Sequence, residues 1–119
     1  LDHEVIHFGD PAFDLGFSLT HFLGKANHLP HMRTSFVDAA VAYWRAYRRT
    51  IGDQPWTDGL ETRAIRNTLA CLLARVSGRS PFEYLEPHEQ VLQRHAVLSM
   101  LDELPTSVEM LATRFAAAL

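Results

Sequence analysis

The chain has 119 residues, a net charge of −3, 47% hydrophobic residues and 21% charged residues. These values are typical of a folded domain, and they exclude a disordered, collagen-like or fibrous chain. The length allows one domain with a buried core but not two lobes of ordinary size. The eleven basic residues are scattered, so the sequence lacks the basic stripe with which proteins bind nucleic acid.

The composition gives no indication of a secreted or membrane-spanning protein. A single cysteine, Cys71, excludes an internal disulfide. The longest apolar runs, such as residues 69–74, are far shorter than the ~20 residues that span a bilayer. We therefore predict a cytoplasmic protein without nucleic-acid or membrane partners, and we make no prediction of its oligomeric state.

The first ten residues predict a short strand and a loop. Residues 1–8 mix apolar and polar positions, and Gly9-Asp10-Pro11 then interrupts them. An aspartate followed by a proline favours a helix start, because the carboxylate accepts free N–H groups of the first turn and proline needs no hydrogen bond there. The first helix is predicted over about 11–26.

Apolar residues recur at helical spacing in four further segments. The second predicted helix covers 33–51. The third is capped by Thr57 or Asp58 and ends at Gly78. The fourth covers 87–103, and the fifth follows a hydroxyl cap in residues 105–107. The residues predicted to face inward in the fourth helix are Val91, Leu92, His95, Leu98 and Leu101. The expected fold is mainly α: one domain, 1–119, with a lead-in at 1–10 and a helical array at 11–119.

Residues 3–7 match the His-Glu-x-x-His pattern of zinc metalloproteases, with His3 and His7 as ligands and Glu4 acting on the bound water. That pattern has chemical meaning only on a helix, where this spacing places both imidazoles on one face. Extended-favouring residues and the turn at residues 9–11 leave room for about one helical turn, so we retain zinc proteolysis only as a remote alternative.

A wider window has a more specific match. The first stretch covers residues 1–17, with Asp2-x-Glu4, then Gly9-Asp10-Pro11, then Asp14-Leu15, and it ends at Phe17. A second stretch covers residues 73–81 and 83–85. Together they resemble the aminoglycoside/choline kinase family of small-molecule phosphotransferases. The resemblance implies a helical C-terminal subdomain of a protein-kinase-like C-lobe, with ATP as phosphate donor and a small-molecule hydroxyl as acceptor.

The same resemblance assigns roles to three acidic residues. Asp2 and Glu4 would be the Mg²⁺ ligands, and Asp14 would be architectural, accepting hydrogen bonds from the backbone of the catalytic loop. Carboxylates are hard oxygen ligands suited to magnesium, which phosphoryl transfer requires.

Two parts of such a kinase are absent from this sequence. No aspartate is followed five positions later by an asparagine, and the only lysine, Lys25, lies in a predicted helix. The chain thus has no catalytic loop and no nucleotide lobe, and we expect it to be a fragment whose missing N-terminal part belongs to the same protein. The alternatives are a non-catalytic helical module, for substrate binding or interaction, and an inactive remnant.

Other residues allow a functional or a structural interpretation. His21, His28 and His31 lie close in sequence without a defined metal-site spacing, so structural or solvent-facing roles are expected. A cluster of aromatic residues on the second predicted helix has the spacing of residues that pack into a core. Aromatic rings can also line substrate pockets, which is the functional alternative. Its members are Tyr43, Trp44 and Tyr47.

Overall fold

The computed structural model describes residues 9–119, which form five α-helices and one short 3-10 turn. In chain order these are α1 (Pro11–His28), the 3-10 turn (Pro30–Met32), α2 (Arg33–Ile51), α3 (Leu60–Ser77), α4 (Pro87–Leu101) and α5 (Val108–Ala117). No strand occurs within 9–119, so the mainly α prediction is confirmed for that range. The strand predicted in residues 1–8 lies outside the described residues.

Helix α1 is the central element and contacts each of the other four α-helices. Leu15, Leu19 and Leu23 are at most 1% exposed, because apolar residues every four positions form one continuous stripe. Gly16 permits a close approach between α1 and α3. A Cβ atom at this position would lie 2.6 Å from Asn67 Cβ and 2.9 Å from the Thr68 nitrogen.

The aromatic residues on α2 pack into the core, as the periodicity predicted. Trp44 is 8% exposed, and Tyr43 and Tyr47 pack against the same cluster. Trp56, in the loop between α2 and α3, remains 41% exposed. The core interpretation of the α2 aromatics is therefore confirmed.

The predicted helix boundaries hold to within a few residues, with one incorrect cap. The bounds of α2 are as predicted, α1 extends two residues further, and α4 ends at Leu101 rather than 103. Neither Thr57 nor Asp58 caps α3, because Gly59 occupies the N-cap with a left-handed φ of 69°. The Thr57 hydroxyl instead donates to the Gln54 carbonyl at 2.8 Å.

The inward face predicted for α4 is wrong. Val91, Leu98 and Leu101 are 67%, 45% and 47% exposed, and His95 also faces solvent. The residues that α4 does bury are Glu89, Gln93, Ala96, Val97 and Met100. Two of these five are polar, so counting apolar residues selected the wrong side of the helix.

The buried polar residues of α4 connect three helices. Asn27, in α1, donates through Nδ2 to the Glu89 carbonyl at 2.9 Å and to Gln93 Oε1 at 3.3 Å. Gln93 Nε2 in turn donates to the Leu72 carbonyl of α3 at 2.9 Å. Because Asn27 and Gln93 are at most 1% exposed, these hydrogen bonds determine how α1, α3 and α4 align.

The loop 78–86, between α3 and α4, folds back onto α1. Phe82 and Leu85 are each 5% exposed. Gly24 of α1 provides the space, since a Cβ there would lie 2.5 Å from Tyr84 Oη and 2.6 Å from the Phe82 ring. Within residues 9–119, no helix combines the length and apolar character needed to cross a membrane.

Candidate functional site

The predicted metal ligands, Asp2 and Glu4, lie outside the described residues, as do His3 and His7 of the zinc-protease pattern. Asp14 is described, and it lies exposed in the first turn of α1. An acidic residue there interacts favourably with the positive end of the helix dipole. Among the described residues, the ones nearest in sequence to the predicted ligands lie at the start of α1.

Asp10 caps α1, as the aspartate-proline pair predicted. Its Oδ1 accepts a hydrogen bond from the Ala12 N–H at 3.0 Å. That hydrogen bond is the main cause of a lowered pKa at Asp10, and the Arg63 guanidinium lowers the pKa further while slight burial opposes both. The carboxylate is consequently a stable negative charge at the end of the lead-in segment.

Arg63, on α3, is the residue that sequence reasoning missed. Its Nε donates to Asp10 Oδ2 at 2.8 Å, and its two terminal nitrogens donate to the carbonyls of Asp58 at 2.7 Å and Trp56 at 3.0 Å. One side chain thus ties the start of α1 to the loop before α3. Since Asp10 and Arg63 are 53 positions apart, no local pattern indicates that they meet.

The exposed edge of α1 carries aromatic rings that meet the end of α3. The Phe13 and Phe17 ring centroids lie 6.4 Å apart, and His21 contacts Phe17 edge-on at 4.8 Å. The Arg75 guanidinium lies 5.3 Å from the Phe17 ring and 5.2 Å from the Phe82 ring. A cation held between two aromatic faces is favourable, because the ring quadrupoles attract it.

The three clustered histidines have separate environments. His21 lies against Phe82, and burial, followed by the charges of Arg75 and Lys25, lowers its pKa. His31 is exposed in the 3-10 turn. Over residues 9–119, no group of three or more histidine, cysteine or acidic side chains is placed to hold a metal ion.

His28 pairs with a buried carboxylate. Its Nδ1 lies 3.0 Å from Glu89 Oε2, and the same oxygen accepts the Glu86 N–H at 2.8 Å in a capping box at the start of α4. Burial raises the pKa of Glu89. The hydrogen bonds from Glu86 and His28, together with the charges of His28 and His88, outweigh burial and leave that pKa below its ordinary value.

Tyr84 has a buried hydroxyl without a hydrogen-bond partner among the described residues. Burial is the main reason that its pKa rises to about 12. The Lys25 ammonium lies 3.9 Å from the centre of the Tyr84 ring, and His28 contacts the same ring. Burial keeps the phenol protonated at neutral pH, and the ring packs against Lys25 and His28.

Comparisons of the chain with protein-family models, with curated proteins and with solved structures find no match.

Proposed function

We propose that this chain is the C-terminal part of an ATP-dependent small-molecule kinase, similar to the aminoglycoside/choline phosphotransferases. In this proposal Asp2 and Glu4 bind Mg²⁺, and the preceding part of the same protein contributes the nucleotide lobe and the catalytic loop. The γ-phosphate of ATP passes to a hydroxyl of a small molecule.

The observation that carries the proposal is a contact between the two stretches that resemble the family. Phe17, which ends the first stretch, lies beside Arg75 of the second. One turn later the His21 ring contacts, at a tilt, the ring of Phe82, which lies between the two parts of the second stretch. More than fifty residues separate these stretches in sequence. A shared structural role for the two matching segments requires that they meet, and here they do.

The start of α1 provides a second, local argument. The family pattern requires a turn at Gly9-Asp10-Pro11 followed directly by a helix that opens with Asp14-Leu15. Here α1 begins at Pro11, Asp10 caps it, and Leu15 is buried while Asp14 stays exposed. An exposed carboxylate one turn inside the helix is available to accept backbone N–H groups from a neighbouring segment.

The chemistry of the donor set suits the proposed metal. Asp2 and Glu4 offer carboxylate oxygens, which Mg²⁺ prefers. In an extended segment, the single residue between them would put both side chains on one side of the backbone. Bound magnesium would neutralise charge on the phosphates of ATP. The described residues would contribute rigidity, because Arg63 and Asp10 tie the end of the lead-in to α3.

The test is nucleotide binding and turnover by the full-length protein. Calorimetry with ATP should show tighter binding in the presence of Mg²⁺, and Asp2→Asn should remove that dependence. The same variant should abolish ADP release in a panel of small alcohols and amino sugars. Asp38→Asn, at an exposed position of α2, is the matched control and should leave both readouts unchanged. Unchanged magnesium dependence in Asp2→Asn would overturn the proposal.

One observation favours the alternative of a non-catalytic interaction module. The outer face of α4 exposes Val91, Leu98 and Leu101, and Leu104 follows at 36% exposure. Magnesium-dependent phosphoryl transfer by the full-length protein would exclude this alternative. Elemental analysis of the purified protein tests the zinc-protease alternative. Stoichiometric zinc in the parent protein that is lost in His3→Ala would favour a zinc protease over the kinase.

A further inference from the structure

A cleft of about 390 Å³ opens between α1 and the C-terminal end of α3. Phe13, Phe17 and Ala74 form its apolar side, and two basic residues, Arg75 and Arg79, also line it. The volume lies at the lower end of the roughly 300–1,000 Å³ that is typical of small-molecule sites. The cleft therefore has room for a ligand of about one ring with a polar substituent.

Among residues 9–119, the charge in this cleft is not balanced by a carboxylate that lines it. Within 9–119, the arginines in ion pairs with acidic side chains are Arg45, Arg48 and Arg63. No acidic residue of that range lines the cleft. Two positive charges beside apolar walls favour an anion, because low-dielectric walls strengthen electrostatic attraction.

Arg75 is held in place before any ligand binds. Its Nη1 donates to the Ser80 carbonyl at 2.9 Å, and its guanidinium lies between the Phe17 and Phe82 rings. A guanidinium has five N–H donors, so this single hydrogen bond leaves others for a ligand. Preorganisation of this kind lowers the entropy lost on binding.

We propose that this cleft binds a small aromatic anion, a ring that carries a carboxylate or a phosphate. The anionic group lies on Arg75 and Arg79, and the ring lies across the exposed edges of Phe13 and Phe17. Those two rings are too close, at 6.4 Å between centroids, for a third ring to fit between them. The cleft lies entirely within residues 9–119, and binding of such an anion there does not require kinase activity.

Cys71 offers a direct readout of occupancy. It is the single cysteine of the chain, it is partly buried, and it lines the same cleft. Burial raises the pKa of its thiol, so alkylation is best followed at a fixed alkaline pH. A ligand in the cleft should cover the sulfur and slow iodoacetamide labelling.

The experiment compares phenyl phosphate with its two halves, phenol and inorganic phosphate, on the 119-residue chain. We expect phenyl phosphate to slow Cys71 alkylation at least fivefold at saturation and to bind at least tenfold more tightly than either half, by calorimetry. Benzoate in the same assay distinguishes a carboxylate preference from a phosphate preference. Absence of protection by both aromatic anions, or equal affinity for inorganic phosphate and phenyl phosphate, would overturn the proposal.

Two variants make the assignment specific to the cleft. Arg79→Gln, at an exposed position, should weaken phenyl phosphate binding by about tenfold without loss of fold, because a charge-assisted hydrogen bond is removed. Arg66→Gln is the matched control, since Arg66 is exposed on α3 and lines a different groove. Equal weakening in both variants would mean non-specific attraction and would also overturn the proposal.

Discussion

Arg63 Nε donates a 2.8 Å hydrogen bond to Asp10 Oδ2, and this contact joins the residue that precedes α1 to the first turns of α3. Asp10 has two roles, because its other oxygen caps α1. The cap and the ion pair make separable contributions to stability.

We expect Asp10→Ala to lower the free energy of unfolding by about 1 kcal/mol, because the first turn of α1 loses its cap. Asp10→Asn keeps a capping oxygen and loses only the charge. It should lower the free energy of unfolding by less than Asp10→Ala does, because a partly exposed ion pair contributes about 0–1 kcal/mol. Urea denaturation measures both. Asp53→Ala is the control, because Asp53 is 99% exposed and pairs with Arg48 without capping a helix. An Asp10→Ala variant as stable as the parent would contradict the capping role.

Gly16→Ala should destabilise the protein even though alanine is the better helix former by about 1 kcal/mol. The added methyl group would meet the Asn67 Cβ and the backbone of α3, which cannot rotate away as a side chain can. Overpacking of this kind typically costs about 1–3 kcal/mol. Thermal unfolding followed by circular dichroism gives the comparison. The control is Ser18→Ala, half-buried on the same helix, which should be neutral or slightly stabilising. A rise in Tm for Gly16→Ala would contradict the close contact between α1 and α3 at this position.

Glu89→Gln should lower the free energy of unfolding at pH 7 by about 1–3 kcal/mol, because a buried, hydrogen-bonded carboxylate is lost. The pKa of Glu89 is lowered by folding, so its charge stabilises the protein above the ordinary pKa of 4.5. That stabilisation is lost as the pH falls below 4.5 and through the lower pKa of the folded state.

The difference between the parent and Glu89→Gln should accordingly shrink on acidification. Urea denaturation at pH 7, 5, 4 and 3 measures it. Glu83→Gln, at an exposed position in loop 78–86, controls for general charge effects and should show no such convergence. A constant difference at all four pH values would contradict the assigned role of the Glu89 charge.

The sequence predicted the helices well where local signals mark their ends. Pro11 and Gly52 delimit segments whose apolar periodicity is strong, and α2 has the predicted bounds. The face of α4 was not predictable in this way, because its buried side contains Glu89 and Gln93, whose burial depends on partners in α1 and α3.

In the candidate site, too, features set by neighbouring residues were predicted and features set by tertiary contacts were not. The cap at Asp10 follows from two adjacent residues and was predicted. The pairing with Arg63 and the placement of Arg75 between two phenylalanine rings depend on tertiary contacts, which local patterns do not encode. The Asp2 and Glu4 assignment stays a prediction, since it rests on resemblance and lies outside the described residues.

The buried hydrogen bonds among Asn27, Gln93 and the Leu72 carbonyl have a consequence for how this sequence diverges. A relative that loses the amide of Asn27 leaves the Gln93 oxygen short of a donor, so the two positions should change together. Related chains are thus expected to carry either both amides or an apolar pair at these positions. Mixed pairs should be rare, which makes positions 27 and 93 a useful signature for recognising distant members of this helical array.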